Sequence, residues 1–235
     1  MSGLHDLSPR LRMVADLVPT GIRLADVGTD HAYLPTALLQ EGKIHFAVAA
    51  DLRQGPLASA KATVRRAELE GKVAFRLCDG LRGIRPEEVD GVAIAGMGGE
   101  TIASILAAAP WTREKDVPLI LQPMSSMPDL RQWLGENGYR IVTEELCREG
   151  DSLYTAMLVR AGEMEPQRPG ELWAGKNRNH PLRGAWLDQW LSRIERALRG
   201  MEQAQGEGVR SKQEQLLQVR AELLQMRKEW DEWQQ

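Results

Sequence analysis

Five short apolar runs, Ile22–Val27, 46–50, Val73–Leu77, 92–95 and 119–121, alternate along the chain with segments patterned as helices. Their apolar character is continuous and β-branched rather than alternating, as a parallel strand buried on both faces requires. The segments between them, 34–40 before Gly42, 56–70 before Gly71, 100–108 before Pro110 and 128–136 before Gly138, each carry a helix start or stop. A leading helix is expected over 7–18, with Ser8 as N-cap, Pro9 at the first helical position and Leu11, Val14, Ala15 and Val18 on one face. Strand and helix in strict alternation predict an α/β domain around a parallel sheet.

After the fifth run the pattern changes. Segments 139–146 and 152–160 are both strand-like and are joined by the turn-rich Arg148-Glu149-Gly150-Asp151, so they should pair antiparallel. A dinucleotide dehydrogenase half goes on adding parallel βα units. A sheet closed by an antiparallel hairpin is how the common S-adenosylmethionine methyltransferase fold ends. The expected fold is therefore a Rossmann-like class I methyltransferase sheet, mostly parallel, over residues 1–165.

Residues 166–235 read as a second unit. A Pro/Gly-rich polar stretch, 162–181, is read as a linker or ordered loop. Leu187, Leu191, Ile194, Leu198 and Met201 then recur at spacings of four and three, and Gly206-Glu207-Gly208 interrupts them. Val209, Leu216, Leu223 and Trp230 follow at sevens, with Val219, Met226 and Trp233 as a companion row. Two amphipathic helices about a glycine turn predict a C-terminal antiparallel coiled-coil hairpin.

Composition narrows the chemistry. No apolar run nears the roughly 18 residues of a membrane span, and the N-terminal stretch lacks the apolar core of a signal peptide, so a cytoplasmic protein is expected. Cys78 and Cys147 form no CxxC pair, and His5, His31, His45 and His180 show no metal-ligand spacing, which argues against a disulfide framework or a bound metal. Residues 1–165 carry 18 Lys+Arg against 23 Asp+Glu, whereas 166–235 carry 12 against 10. Any basic footprint for nucleic acid belongs to the tail.

In an open α/β sheet, ligands bind outside the carboxyl ends of the strands. Here those ends are acidic or glycine: Asp26, Gly28, Asp30 and His31 after the first, Asp51 after the second, Asp79-Gly80 after the third, Gly96-Met97-Gly98-Gly99 after the fourth, and Gln122 after the fifth. Asp51 is placed to accept both hydroxyls of an adenosine ribose, and Asp79 to accept from an adenine amino group beside Leu81. Asp26 or Asp30 can meet a cationic amino group. A pyrophosphate wants N–H donors without anions, so the two loop carboxylates favour S-adenosylmethionine over a dinucleotide. An Asp at a strand end can equally cap the next helix. His31 reads as a hydrogen-bonding structural residue, and Tyr33 as core or as a stacking face for a target base.

The motifs DVGTDHAYLP, AVAADLRQGPLASA, AIAGMGGETI, LILQPM and LRQWLGENGYRI together resemble the bacterial tRNA (adenine(22)-N1)-methyltransferase family, from Leu7 to about Arg160. The resemblance implies methyl transfer from S-adenosylmethionine to N1 of an adenine in the D-arm region of tRNA. It implies that Asp26, Gly28, Asp30 and His31 surround the methionine part, that Asp51 holds the ribose and that Asp79 and Gly80 line the adenine side. AGMGG occupies the place where many amino-group methyltransferases carry Asn/Asp-Pro-Pro-aromatic, so catalytic roles from those enzymes do not transfer. Gly96, Met97, Tyr33 and Gln122 are the candidate acceptor pocket, with Asp30 and Tyr33 as the catalytic candidates. Arg168, Lys176, Arg178 and Arg183, among Trp173 and His180, are the candidate RNA grip; the alternative is a solvated linker. A methyltransferase of another substrate and a non-catalytic nucleotide-binding scaffold are the competing readings, and oligomeric state is left open.

Overall fold

The computed structural model describes residues 7–177, 179–201 and 207–234. The chain forms two compact units, 1–164 and 165–235.

In the first unit a seven-stranded sheet runs in the order β3-β2-β1-β4-β5-β7-β6. Strands β1 (Ile22–Val27), β2 (Ile44–Asp51), β3 (Val73–Leu77), β4 (Gly91–Gly98) and β5 (Leu119–Ser125) pair in parallel. The last two, β6 (Tyr139–Glu149) and β7 (Ser152–Ala161), form the antiparallel hairpin, with β7 against β5. Helices α1 (Pro9–Leu17), α2 (Tyr33–Gln40) and α3 (Gln54–Arg66) carry residues of one core layer, whereas α4 (Gly99–Ala107) and α6 (Met127–Glu136) carry the other. Strand residues divide between these layers with period two. Leu24, Ala49, Ala93 and Ile120 enter the first, while their neighbours Ala25, Ala50, Ile94 and Leu121 enter the second.

Local signals act as expected at the first helix, where the Ser8 hydroxyl accepts from Leu11 N at 3.4 Å. Elsewhere the boundaries move. The helix expected to run to residue 70 ends at Arg66, because Glu68 takes a left-handed φ of 57° and a 3₁₀ turn follows. Strand β4 does not stop at Ala95 but continues to Gly98, with two register irregularities against β5. A four-residue helix, α5 (Trp111–Glu114), had no separate signal.

The second unit contains α7 (Pro169–Ala174), α8 (Arg183–Met201) and α9 (Glu207–Trp233). The stretch expected as linker thus holds a helix, started by Pro169 and by Glu171, whose carboxylate accepts from Arg168 N at 3.0 Å and from Arg168 Nη2 at 3.3 Å. Helices α8 and α9 run antiparallel, since Glu195 pairs with Arg220 at 3.3 Å and Asp188 with Arg227 at 2.9 Å. Leu187, Leu191, Ile194, Leu216, Val219 and Leu223 are buried along the seam. Trp186 and Trp190 pack edge to face at 5.4 Å, and Trp173 meets Trp190 at 5.1 Å, whereas Trp233 of the companion row is 59% exposed. Of the expected glycine interruption, residue 206 lies outside the described residues.

Candidate active site

Strand order reverses between β1 and β4, which opens a crevice at their carboxyl ends. A cavity of about 510 Å³ occupies it. Its floor is built by the loop leaving β1. Gly28 N and Thr29 N both donate to Ala50 O, at 2.8 and 3.0 Å, folding the loop over the end of β2. That path needs φ +73° at Gly28, and a Cβ there would lie 2.2 Å from Met97 Cε. Asp30 and Ala32 also take left-handed φ values of 49° and 54°. Aspartate tolerates this conformation through local polar contacts; for alanine it is strained, and Ala32 is held in it by burial in the core at the start of α2.

The electrostatics are dominated by two buried carboxylates on adjacent strands. Asp26 Oδ2 accepts from Thr29 Oγ1 at 2.5 Å, and burial pushes the carboxyl pKa up to about 6; the Thr29 bond opposes this and the charge of Asp51 adds to it. Asp51 accepts from Arg53 N at 2.9 Å and from Asp30 N at 3.4 Å. Among the described residues neither is paired with a basic side chain, so a ligand supplying a cation and hydroxyl donors would satisfy both. Leu52, 67% exposed beside Asp51, offers an apolar face, with Cys78 and Ile105 on the same cavity. Asp79 is exposed and within 3.2 Å of Arg82. At the mouth the rings of His31 and Tyr33 stack at 5.1 Å, and His31 Nε2 lies 3.7 Å from Asp30 Oδ2.

These residues fit S-adenosylmethionine. Two buried acids suit an ammonium and a ribose diol, the apolar wall suits an adenine, and the glycine loop brings backbone close to whatever lies above it. The same acids would repel a pyrophosphate.

A methyltransferase domain model matches residues 7–157. The tRNA (adenine(22)-N(1))-methyltransferase of Bacillus subtilis strain 168 is 37% identical over 164 residues, 70% of this chain and 69% of that protein. The crystal structure of the B. subtilis M1A22 tRNA methyltransferase TrmK superposes with a TM-score of 0.83 at 30% identity, covering 94% of this chain and 99% of that one. The Streptococcus pneumoniae protein Sp1610, solved in complex with S-adenosyl-L-methionine, gives 0.82 at 31%, covering 94% and 100%. The chain belongs to the tRNA (adenine(22)-N1)-methyltransferase family.

In this methyltransferase the strand-end residues singled out in the sequence converge. Asp26, Gly28, Asp30, His31, Tyr33, Asp51, Asp79, Gly80, Gly96 and Met97 all line the one cavity. Gln122 does not. It is fully buried, its Oε1 accepting from Arg10 Nη1 at 2.9 Å and from Gly96 N at 3.1 Å, and its Nε2 donating to Pro123 O at 3.0 Å. Its expected place in the acceptor pocket is corrected to a place behind it. Leu81, expected as the adenine wall, is core.

The tail candidates change as well. Arg183 is only 2% exposed and donates to Ala174 O and, at 2.9 Å, to Gly175 O, so it closes the end of α7 and is not an exposed RNA contact. Lys176 lies 3.9 Å from Glu171, and Arg178 lies outside the described residues. Sequence reasoning missed Arg10, Leu11, Leu52 and Thr101 on the cavity. Only Leu52, beside the acidic strand end, carried a local signal.

Among the described residues no group of three His, Cys, Asp or Glu is arranged to hold a metal, and no helix is long and apolar enough to cross a membrane.

Proposed function

We propose that this chain transfers a methyl group from S-adenosylmethionine to N1 of adenine 22 in the D-arm region of tRNA. The carrying observation is the pair of buried carboxylates at the ends of β1 and β2 on one cavity, neither of them ion-paired with a basic side chain among the described residues. When bound, S-adenosylmethionine supplies an electrophilic sulfonium methyl.

The chain's residues divide the work of holding it. Asp51 accepts the ribose hydroxyls, Asp26 faces the amino group, and Asp79 with Gly80 and Leu52 borders the adenine. Gly28, Gly96 and Met97 keep the loops close around the methionine part, with His31 at the mouth. Adenine N1 is a neutral lone-pair nucleophile near pH 7, so no general base has to ionise it. Positioning is the main requirement. The Tyr33 ring, stacked on His31, provides a face for the target base, and Asp30 is placed to accept from the adenine amino group and to stabilise the cationic ring of the product. N1 lies on the Watson–Crick edge, so the base enters unpaired.

Lys176 and Arg178, with the exposed cations Arg193, Arg196 and Arg199 of α8, are the tail's contacts to RNA phosphates. A tRNA substrate places the enzyme in the cytoplasm. Methyl incorporation from labelled S-adenosylmethionine into unmodified tRNA, followed by nucleoside analysis, tests the proposal. Labelled 1-methyladenosine that disappears when adenine 22 is substituted is expected; incorporation at another nucleoside, or none despite cofactor binding, overturns it.

A further inference from the structure

Arg10 lines the cavity beside Gly96 of β4, away from the other lining guanidinium, Arg53, which follows Asp51 on the β2 side, and nothing in the strand-end pattern announces it. Its backbone N–H is used by Glu149 Oε2 at 2.9 Å, but no carboxylate of the described residues pairs with its guanidinium. Nη1 donates to the neutral carboxamide of Gln122, and the guanidinium carbon lies 5.8 Å above the Tyr154 ring. Gln122 is itself locked, donating to Pro123 O while its Oε1 also accepts from Gly96 N. The same buried oxygen therefore fixes both the guanidinium and the glycine segment of β4, whose Gly96 would bring a Cβ within 3.5 Å of Arg10 Nη1.

A half-buried guanidinium whose side-chain partner is a neutral carboxamide, with the Glu149 carboxylate acting on it only through space, keeps its remaining N–H groups for an anion in the cavity. A carboxylate in place of Gln122 would have consumed the charge. Methylation at N1 makes the adenine ring cationic, so a guanidinium against that ring would oppose the reaction; its charge suits an oxyanion instead. We infer that Arg10, positioned by Gln122, is an oxyanion seat at the β4 side of the cavity. Two oxyanions reach such a site under the proposed function, on which this inference rests: the carboxylate of the cofactor's methionine part and a backbone phosphate of the target nucleotide. Arg10 is the binding group; Gln122 acts through it as a positioning residue.

Equilibrium binding by the full-length protein separates the sources. Arg10→Gln, Arg10→Lys, Gln122→Glu and Gln122→Met, each checked for folding by circular dichroism, are titrated with S-adenosylhomocysteine, with 5′-methylthioadenosine, which lacks the amino-acid part, and with unmodified tRNA over a range of salt. Loss of one charge-assisted contact is expected to weaken the relevant ligand roughly ten- to hundredfold. Weakened S-adenosylhomocysteine with unchanged methylthioadenosine assigns the carboxylate. Weakened tRNA with a salt slope lower by about one assigns the phosphate. Arg10→Lys should recover part of the loss, and Gln122→Glu, by pairing internally with Arg10, should weaken the same ligand more than Gln122→Met. Wild-type binding of every ligand by folded Arg10→Gln overturns the inference, as does an equal loss of all three. If the wild-type protein itself binds neither S-adenosylhomocysteine nor tRNA, the proposed function fails instead.

Discussion

Replacing Asp26 by Asn should make the protein more stable and a poorer cofactor binder at the same time. Burial raises the carboxyl pKa from 3.8 to about 6. For a raised pKa, the group's contribution to stability is fully present below the unfolded value, falls as pH climbs towards the folded value and is lost above it. Two pH units correspond to about 3 kcal/mol of unfavourable charge burial at pH 8, as an upper bound. That shift already includes the opposing Thr29 bond, which an amide oxygen can keep; the amide's buried NH2 has no acceptor provided for it and costs about 1–2 kcal/mol, so a net gain of about 1–2 kcal/mol is expected. In a unit of this size that is a melting temperature higher by about 2–8 °C. Asp26→Asn also removes the anion we propose for the cofactor's ammonium, a loss of about 1.5–3 kcal/mol, or roughly 10- to 150-fold in affinity. Thermal melts at pH 5 and 8 and calorimetric titration with S-adenosylhomocysteine across the same range read both effects. The stability difference should shrink or reverse at pH 5, where the wild-type carboxyl is largely protonated. Wild-type affinity should fall towards tenfold per unit below pH 6 while the variant's stays flat. A variant that melts no higher at pH 8, or binds S-adenosylhomocysteine as tightly as wild type, refutes the reasoning.

Gly99 starts α4 against the backbone of Ser126, where a Cβ would come within 2.3 Å of the carbonyl oxygen, so Gly99→Ala should cost about 3 kcal/mol, read as a lower denaturation midpoint with unchanged slope. The pair Arg131–Glu144 is buried, with Nη2 2.7 Å from Oε1; Arg131→Met alone should lose about 3–5 kcal/mol, and the double change with Glu144→Leu should recover most of it in the same titration. In the second unit Arg183→Met strands the carbonyl of Gly175, removes one of the two side-chain donors to Ala174 O and leaves it Trp186 Nε1 at 3.1 Å, and should lower that unit's melting temperature, whereas Lys176→Ala should leave it unchanged and weaken tRNA binding in a salt-dependent way.

What could be read in the sequence was whatever is encoded locally. Continuous apolar runs located all five parallel strands, the turn between residues 148 and 151 located the closing hairpin, and acids at strand ends located one cavity, because each signal is carried by neighbours in the chain. The misplacements of Gln122 and the AGMGG segment share a cause. Polar and glycine residues after an apolar run read as its end, yet β4 runs on to Gly98 and β5 to Ser125, so Gln122 is inside the sheet and its polarity serves internal bonds. Arg183 fails for the complementary reason. A charged residue in a polar stretch reads as solvated, but the last carbonyls of a helix need donors, and here the guanidinium supplies them from nine residues away. Arg10 had no readable role because its partner lies 112 positions along the chain. An arginine on the second residue of an amphipathic helix looks like any surface charge until the sheet brings β5 beneath it. The cavity acids, and the Thr29 hydroxyl and Arg53 N–H that hold them, were legible one strand at a time; the seating of Arg10 on Gln122 became legible only once distant segments were adjacent.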